Sequence, residues 1–533
     1  MLHPDAIFVN GKFHTLDPKH STAEAIAVKD GRIYATGTTS EIEHQAQPGC
    51  ARHDLGGRPV VPGLTDSHLH MMSLGQSLDR IALKPARSIS EIKALLASKV
   101  KSVPPGTWVF GRGWDQDRLI EKRYPTRYDL DEAAPDNPVV LTRACGHVSV
   151  VNSRALAIAG VNESTPAPVG GVIDKDDDGR PVGLLRERAA GLVLEKAPQP
   201  TFEQLKSMLR KAMQRAVRAG VTSVHANDNA GKCFETIPRL YSELHAEGER
   251  LRVYWDIPAI YTEDLLRSPY RTGLGDEFFK YGAMKILIDG SLGGKTAALD
   301  GEYADDPGNE GVLIMPVEDF DAAVERGHRA GMQIAIHAIG DRGVRLSLDA
   351  IEKAQNSAFR PDPRHRIIHC QVMTLPQYGR FKQLGVVADV QPKFVTTDML
   401  WTESRVGKEK AATSYGWKTF LDMGVATAGG SDCPVEPIEP MLGVYAAVTR
   451  CDMEGRPDGG WLPDQKIDID RAIRMFALGG PYASFEETVK GSLQPGKMAD
   501  FVVLDRDPYR VAPHELKDID IVMTVIGGKI AYQ

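Results

Sequence analysis

The 533-residue sequence lacks most of the features that would take it away from an ordinary folded protein in water. No window approaches the roughly 18 consecutive apolar residues that a membrane span requires. The opening residues, MLHPDAIFVNGKFHTLD, have no basic segment followed by an apolar one, so no secretory leader is expected and a cytoplasmic address is. Basic residues never collect into a block, and the net charge is −7, which gives no positive field for nucleic acid or anionic lipid. A small-molecule partner is expected instead. Cysteine is scarce: the six residues, at 50, 145, 233, 370, 433 and 451, include no CxxC pair. That spacing excludes a disulfide framework and suits buried thiols in a reducing compartment.

What is present is an average globular composition, 42% hydrophobic and 25% charged, in a chain long enough for a large core plus a second, smaller domain. The stretches DAIFVNGKFHTLD, AIAVKDGRIYATG and ARHDLGGRPVVPG alternate apolar and polar residues around Asn-Gly, Asp-Gly and Gly-Gly turns. GKMADFVVLDRDP and IVMTVIGGKIAYQ do the same at the other end. Neither end has enough strands for a core of its own. Residues 1–58 and 487–533 are therefore expected to complete one small β-sandwich.

Between the ends, apolar strand runs alternate with helical patterns. The runs lie at 59–68, 220–228, 251–261, 282–291, 332–341, 365–372, 385–394 and 424–432. Strands that are apolar on both faces are covered on both sides, as in parallel sheets, and eight β/α units predict an α/β fold of the (β/α)8 barrel type over 59–486. An open doubly wound sheet is the alternative. Before the second run, Thr201 and Gln204 form a capping box and Gly220 stops the helix. From about 75 to 200 the rhythm breaks into Pro-rich turns, GRGWDQDRL and LTRACGHVSVVNSRAL, which predicts an insertion between strands one and two that shapes a substrate pocket.

In such a barrel, functional groups belong at the carboxyl ends of the strands. There the sequence places His68 and His70, then Lys285, His337, His369 and Asp432. Each has an ordinary reading: a buried or capping histidine, a turn-forming aspartate in GGSDCP, a lysine that snorkels or pairs with Asp289. Their ordered occurrence on successive strand ends favours a ligand set for Zn²⁺ or a similar divalent ion. An ammonium inside a barrel must lose its charge or find a partner. Carbamylation of Lys285 by CO₂ would turn it into a carboxylate able to bridge two metals.

The segments PGLTDSHLH, MKILIDGSLGGKTAAL, IHAIGD, HRIIHC, AGGSDCPV and GSLQPGKMADFVVLD, with GWDQD and GHVSVVNSRAL in the insertion, resemble the metal-dependent amidohydrolase superfamily. The match is to amidohydrolase family 3, the YtcJ-like group that includes N-substituted formamide deformylases. This resemblance implies one or two metal ions per subunit. His68, His70 and Asp432 would hold the more buried ion and His337 and His369 the second, with an N6-carboxylysine at Lys285, or alternatively Glu187 of GLLRERAA, as the bridge. It further implies hydrolysis of a C–N bond in a linear amide, an N-substituted formamide or N-acyl compound, by metal-bound hydroxide, with Asp432 as general base and then acid. His147 of CGHVSVVNS is a candidate for stabilising the carbonyl oxygen, or else a packed loop histidine. Trp114, Trp401, Trp461 and Tyr303 are expected to line an apolar substrate wall, although such aromatics are often structural. A homodimer or other homo-oligomer is expected. The rivals are a cyclic amidase or deaminase on the same site, a retired barrel serving as a regulatory or binding protein, and a phosphate or dinucleotide enzyme, which the missing GxGxxG disfavours.

Overall fold

Eight short parallel strands follow one another around a sheet in strict chain order in the computed structural model, which describes residues 3–143, 148–168 and 170–533. They are β1 (Leu64–Leu69), β2 (Val221–Ala226), β3 (Arg252–Pro258), β4 (Phe279–Leu287), β5 (Ile334–Ala338), β6 (Arg366–His369), β7 (Val387–Val390) and β8 (Thr427–Gly429). All eight runs read from the sequence are strands, and nearly every residue in them is buried, as covering on both faces demands. The sheet is nearly closed into a barrel. Just beyond β8, the Asp432 N–H donates to the His68 carbonyl and the His70 N–H to the Cys433 carbonyl, each at 2.8 Å, so the last strand's exit is tied to the first.

One boundary differs from expectation. The run 59–68 is two strands in two sheets: Pro59–Pro62 pairs with Phe501–Leu504 and Lys12–His14, and only from Leu64 onward does the chain enter the barrel. Gly63 makes the transfer where the backbone presses against β2; an added Cβ there would run into the Thr222 hydroxyl and stand 3.0 Å from Asp500 Cβ.

The chain ends form two further sheets. One has four strands, in the order Arg32–Gly37, Ala25–Lys29, Ala6–Val9, Ala51–Asp54; the other has six, from Lys529–Tyr532 through Ile521–Ile526, Phe501–Leu504, Pro59–Pro62 and Lys12–His14 to Thr22–Ala23. Strands from both ends bury one shared cluster that includes Phe8, Phe13, Ile26, Val60, Phe501 and Val525. Phe8 meets Phe501 edge to face with ring centroids 4.9 Å apart.

The chain divides into two compact units, residues 75–208 and the remainder. The unit of 75–208, eight residues longer at its end than the predicted insertion, carries its own six-stranded mixed sheet, which alternation within 75–200 did not disclose. Its core packs Ile92, Leu96, Leu119, Leu130, Leu141 and Val150 around Trp114. Cys50, Cys233, Cys370, Cys433 and Cys451 are all free thiols. Among the described residues no helix is long and apolar enough to cross a membrane.

Candidate metal centre

The site begins with an irregularity in β1. Between the pairs Asp66–Val224 and Leu69–Ala226 the register slips by one residue, so Ser67 and His68 stand opposite His225 alone. A bulge of this kind re-aims side chains at a strand end. His68 is 1% exposed and its Nε2 lies 3.6 Å from Asp432 Oδ1; His70, just past the strand, brings its Nε2 to 3.1 Å from the same oxygen. These three residues offer ligand atoms within 4.8 Å of one another. Donors bound to one zinc at about 2.0–2.2 Å stand about 3–4 Å apart, so the spacing fits one ion. His68 Nδ1 is buried without a hydrogen-bond partner among the described residues, as are both ring nitrogens of His225, the residue opposite the slip.

The other two histidines continue the cluster. The His369 ring lies 5.5 Å from that of His68 and 4.5 Å from that of His337, centroid to centroid. The partners of each ring decide which nitrogen is left for a metal. His70 Nδ1 faces the Asn227 carbonyl at 3.0 Å, leaving Nε2; His369 Nδ1 faces Gln391 Oε1 at 2.7 Å, leaving Nε2. His337 is reversed: its Nε2 faces the Gly290 carbonyl at 3.1 Å, which leaves Nδ1. Asn227 is itself fixed by its Nδ2, which donates to the Asp256 carbonyl at 3.1 Å.

Charge follows burial. Burial, reinforced by Lys285 and the neighbouring imidazoles, holds His68 well below the usual histidine range; burial, His337 and Lys285 do the same to His369. Burial and Lys285 lower His337 to about 3. All three are neutral at physiological pH, the state in which imidazole ligates a metal. Burial also pulls on His70, but the bond and charge of Asp432 outweigh it and the net shift is upward. Lys285 is 2% exposed, and burial lowers its pKa to about 8 against the opposing charges of Asp432 and Asp256. The Asp289 carboxylate accepts the backbone N–H groups of Ala298, Ile339 and Gly340 at 2.8–3.0 Å, and the charge of Lys285 acts on it as well.

The backbone is strained where the donors sit. His369 and Cys370 have φ of 82° and 49°, and Asp432 has 56°, conformations that non-glycine residues hold only when their surroundings impose them. Beside Asp432, a Cβ on Gly430 would lie 2.7 Å from the His68 backbone nitrogen, so only glycine lets the last strand approach the first this closely.

Two of the expected wall residues are core. Trp114 is 0% exposed within the 75–208 unit, and its indole N–H donates to the Leu141 carbonyl at 2.8 Å. Tyr303 is 1% exposed, packs with Leu292, Leu299 and Ile339, and its hydroxyl donates to the Ala297 carbonyl at 2.9 Å. Neither has a face left for substrate. Trp401 is half-buried against the Tyr303 cluster, and Trp461, also half-buried, lines a cavity of about 420 Å³ with Met399, Leu400 and Pro457. Glu187 ends the strand Pro181–Glu187 of the 75–208 unit, exposed and with φ of 51°. His147 lies outside the described residues. Asn227 and Gln391, which set two of the imidazoles, were missed; they stand at the ends of β2 and β7, the same kind of position that revealed the histidines.

A barrel whose strand ends bring two imidazoles and a carboxylate together fits a metal-dependent hydrolase. The chain belongs to the amidohydrolase family, whose model matches residues 53–532, as the sequence motifs suggested. It is 33% identical over 529 residues to the amidohydrolase-type protein YtcJ of Bacillus subtilis (strain 168), covering 99% of both chains. It is 28% identical over 552 residues to the N-substituted formamide deformylase of Arthrobacter pascens, covering 99% of this chain and 98% of that one. The crystal structure of an uncharacterised metal-dependent hydrolase from Pyrococcus furiosus superposes with a TM-score of 0.79 at 29% identity, covering 95% of this chain and all of that one.

Proposed function

We propose that the protein hydrolyses the C–N bond of a linear amide, an N-substituted formamide or N-acyl compound, at a zinc-type centre held by His68, His70 and Asp432, with His337 and His369 available to a second ion. The observation that carries this reading is the convergence of two imidazole nitrogens on one oxygen of Asp432, at 3.1 and 3.6 Å. The linear amide is favoured by the full-length likeness to a protein named for deformylating N-substituted formamides.

A divalent ion bound there would lower the pKa of a coordinated water to about 7 and polarise the carbonyl under attack. The rest falls to side chains. His70 and His369 are oriented by Asn227 and Gln391 to present Nε2. Asp432 would help hold the ion, and its carboxylate is the group placed to accept a proton from water and return it to the departing nitrogen. Lys285, buried beside these groups with its ammonium destabilised, is assigned the bridge as an N6-carboxylysine; Glu187 is the alternative. Trp401 and Trp461 are assigned to the substrate wall. The two terminal sheets with their shared cluster are read as one small β-sandwich.

The test is a metal analysis joined to a substrate panel. Protein purified without chelator should hold about one to two divalent ions per chain. Among formamides, N-acyl amino acids, lactams and amino-heterocycles, amine release from the first two should dominate. Turnover confined to lactams or ammonia release from heterocycles would reassign the same site to a cyclic amidase or a deaminase.

A further inference from the structure

Beneath the donor cluster lies a charged group that the chemistry above does not use. Arg366 of β6 is 0% exposed and commits four N–H donors: Nε and one terminal nitrogen to Asp389 Oδ2 at 3.0 and 2.6 Å, the other terminal nitrogen to Asp256 Oδ1 at 2.9 Å, and a last bond to the Ser67 carbonyl at 2.7 Å. Asp389 in turn accepts the Ser67 hydroxyl at 2.6 Å through Oδ1. One guanidinium thus links β1, β3, β6 and β7 across the barrel interior.

The positions it grips matter more than their number. Ser67 is held by both its carbonyl and its hydroxyl, and the next residue is His68, inside the register slip. Asp389 lies two residues before Gln391, which faces His369 Nδ1, and Gln391 Nε2 donates back to the Asp389 carbonyl at 3.3 Å. His369 itself stands three residues after Arg366 on the same strand. Stability does not explain the arrangement. A fully buried ion triad is often no more stabilising than well-packed apolar side chains of the same volume, because desolvation offsets the attraction. What such a network supplies is one discrete arrangement of the groups attached to it.

We propose that Arg366 is a positioning residue for the metal centre: through Ser67 and Asp389 it fixes the bulge that aims His68 and the segment that orients His369, so that donors from opposite sides of the barrel keep a common register. This rests on the metal-site reading above. It also predicts that Ser67 acts in the same direction with smaller weight, since it supplies one strand of the link.

The experiment uses the full chain stripped of metal and reloaded with cobalt(II), whose visible absorption reports ligand geometry. Wild type, Arg366→Met, Arg366→Lys and Ser67→Ala would be compared for cobalt affinity by chelator competition, for the visible spectrum and for folding by circular dichroism. The expected result is about a 10- to 100-fold loss of cobalt affinity in folded Arg366→Met with an altered spectrum, partial recovery in Arg366→Lys, and a smaller loss in Ser67→Ala. A folded Arg366→Met with wild-type affinity and spectrum would overturn the proposal. Should Arg366→Met not fold, wild-type affinity and spectrum in both Arg366→Lys and Ser67→Ala would overturn it equally. Wild-type protein that takes up no cobalt would remove the metal reading and this inference together, an outcome distinct from the first two.

Discussion

Asp432 meets His68 twice, its backbone N–H donating to the His68 carbonyl at 2.8 Å and its carboxylate standing 3.6 Å from the same residue's Nε2. The first contact ties the end of the barrel to its beginning and the second builds the donor set. Closure and chemistry are therefore coupled: the carboxylate reaches the imidazole only because the backbone bond brings the two strand ends together. Asp66 supports the same junction, accepting the Ser431 backbone N–H at 3.0 Å and, at 3.2 Å, that of His68.

Replacing His68 with Ala removes one of three converging donors and leaves Asp432 and His70 as a two-residue site. Metal content should fall from one to two ions toward none in the first position, with amide hydrolysis lost by at least about 100-fold, while the fold persists because the imidazole has no satisfied structural bond at Nδ1. Elemental analysis alongside a thermal melt checks this. Undiminished turnover in the variant would remove His68 from the chemistry.

Gln391→Leu deletes the partner that holds the His369 ring by Nδ1 while leaving His369 in place. Loss of such a supporting group typically costs about 10- to 100-fold in metal affinity or activity, and that range is expected here for the second ion. The Gln391→Glu variant, which keeps an acceptor at the same reach, should retain most of the affinity. Equal loss in both variants would argue that the Nε2 donor to the Asp389 carbonyl, which both lack, matters more than the acceptor facing His369.

The eight barrel strands and the order of the strand-end donors were legible because burial on both faces leaves continuous apolar runs and because histidine, lysine and aspartate interrupt them visibly. The Thr201 capping box was equally legible and forms, with bonds of 2.8 and 3.3 Å between Thr201 and Gln204. The break at Gly63 was not, since Pro59–Pro62 and Leu64–Leu69 are equally apolar and only tertiary pairing assigns them to different sheets. Trp114 and Tyr303 misled for a related reason: an aromatic near a strand end has the same sequence signature when it fills a core as when it faces a ligand. Arg366 was invisible as a functional residue because its partners, Ser67, Asp256 and Asp389, lie on three other strands.

Trp114→Ala should behave as a core truncation. The indole is fully buried and bonded to Leu141, so the variant should lose about 3–5 kcal/mol in stability of the 75–208 unit. Its effect on KM should be the same for bulky and small amides. Trp461→Ala, at a half-buried side chain lining a cavity, should instead raise KM selectively for bulky amides with little change in the melt. Selectivity appearing at Trp114 and not at Trp461 would reverse the assignment of the wall.

Lys285 provides a pH test with a defined sign. Its pKa is lowered to about 8 by burial, whereas an unfolded lysine titrates near 10.4. Between about pH 8 and pH 10.4 the unfolded chain holds a proton that the folded chain has shed, so stability contributed by this group rises with pH through that window and is at its lowest below pH 8. In metal-free protein, the stability of wild type relative to Lys285→Met should therefore improve on going from pH 8 to above pH 10, by up to about 3 kcal/mol. Denaturant unfolding at the two ends of the window measures it. The same shift leaves about a tenth of Lys285 as free amine at pH 7, against fewer than about one in a thousand for an ordinary lysine, and free amine is the form that captures CO₂. Isotope-labelled bicarbonate should give a carbamate signal in wild type at neutral pH that Lys285→Met lacks. A signal of equal size in both would place any carbamate elsewhere and remove Lys285 as the bridge.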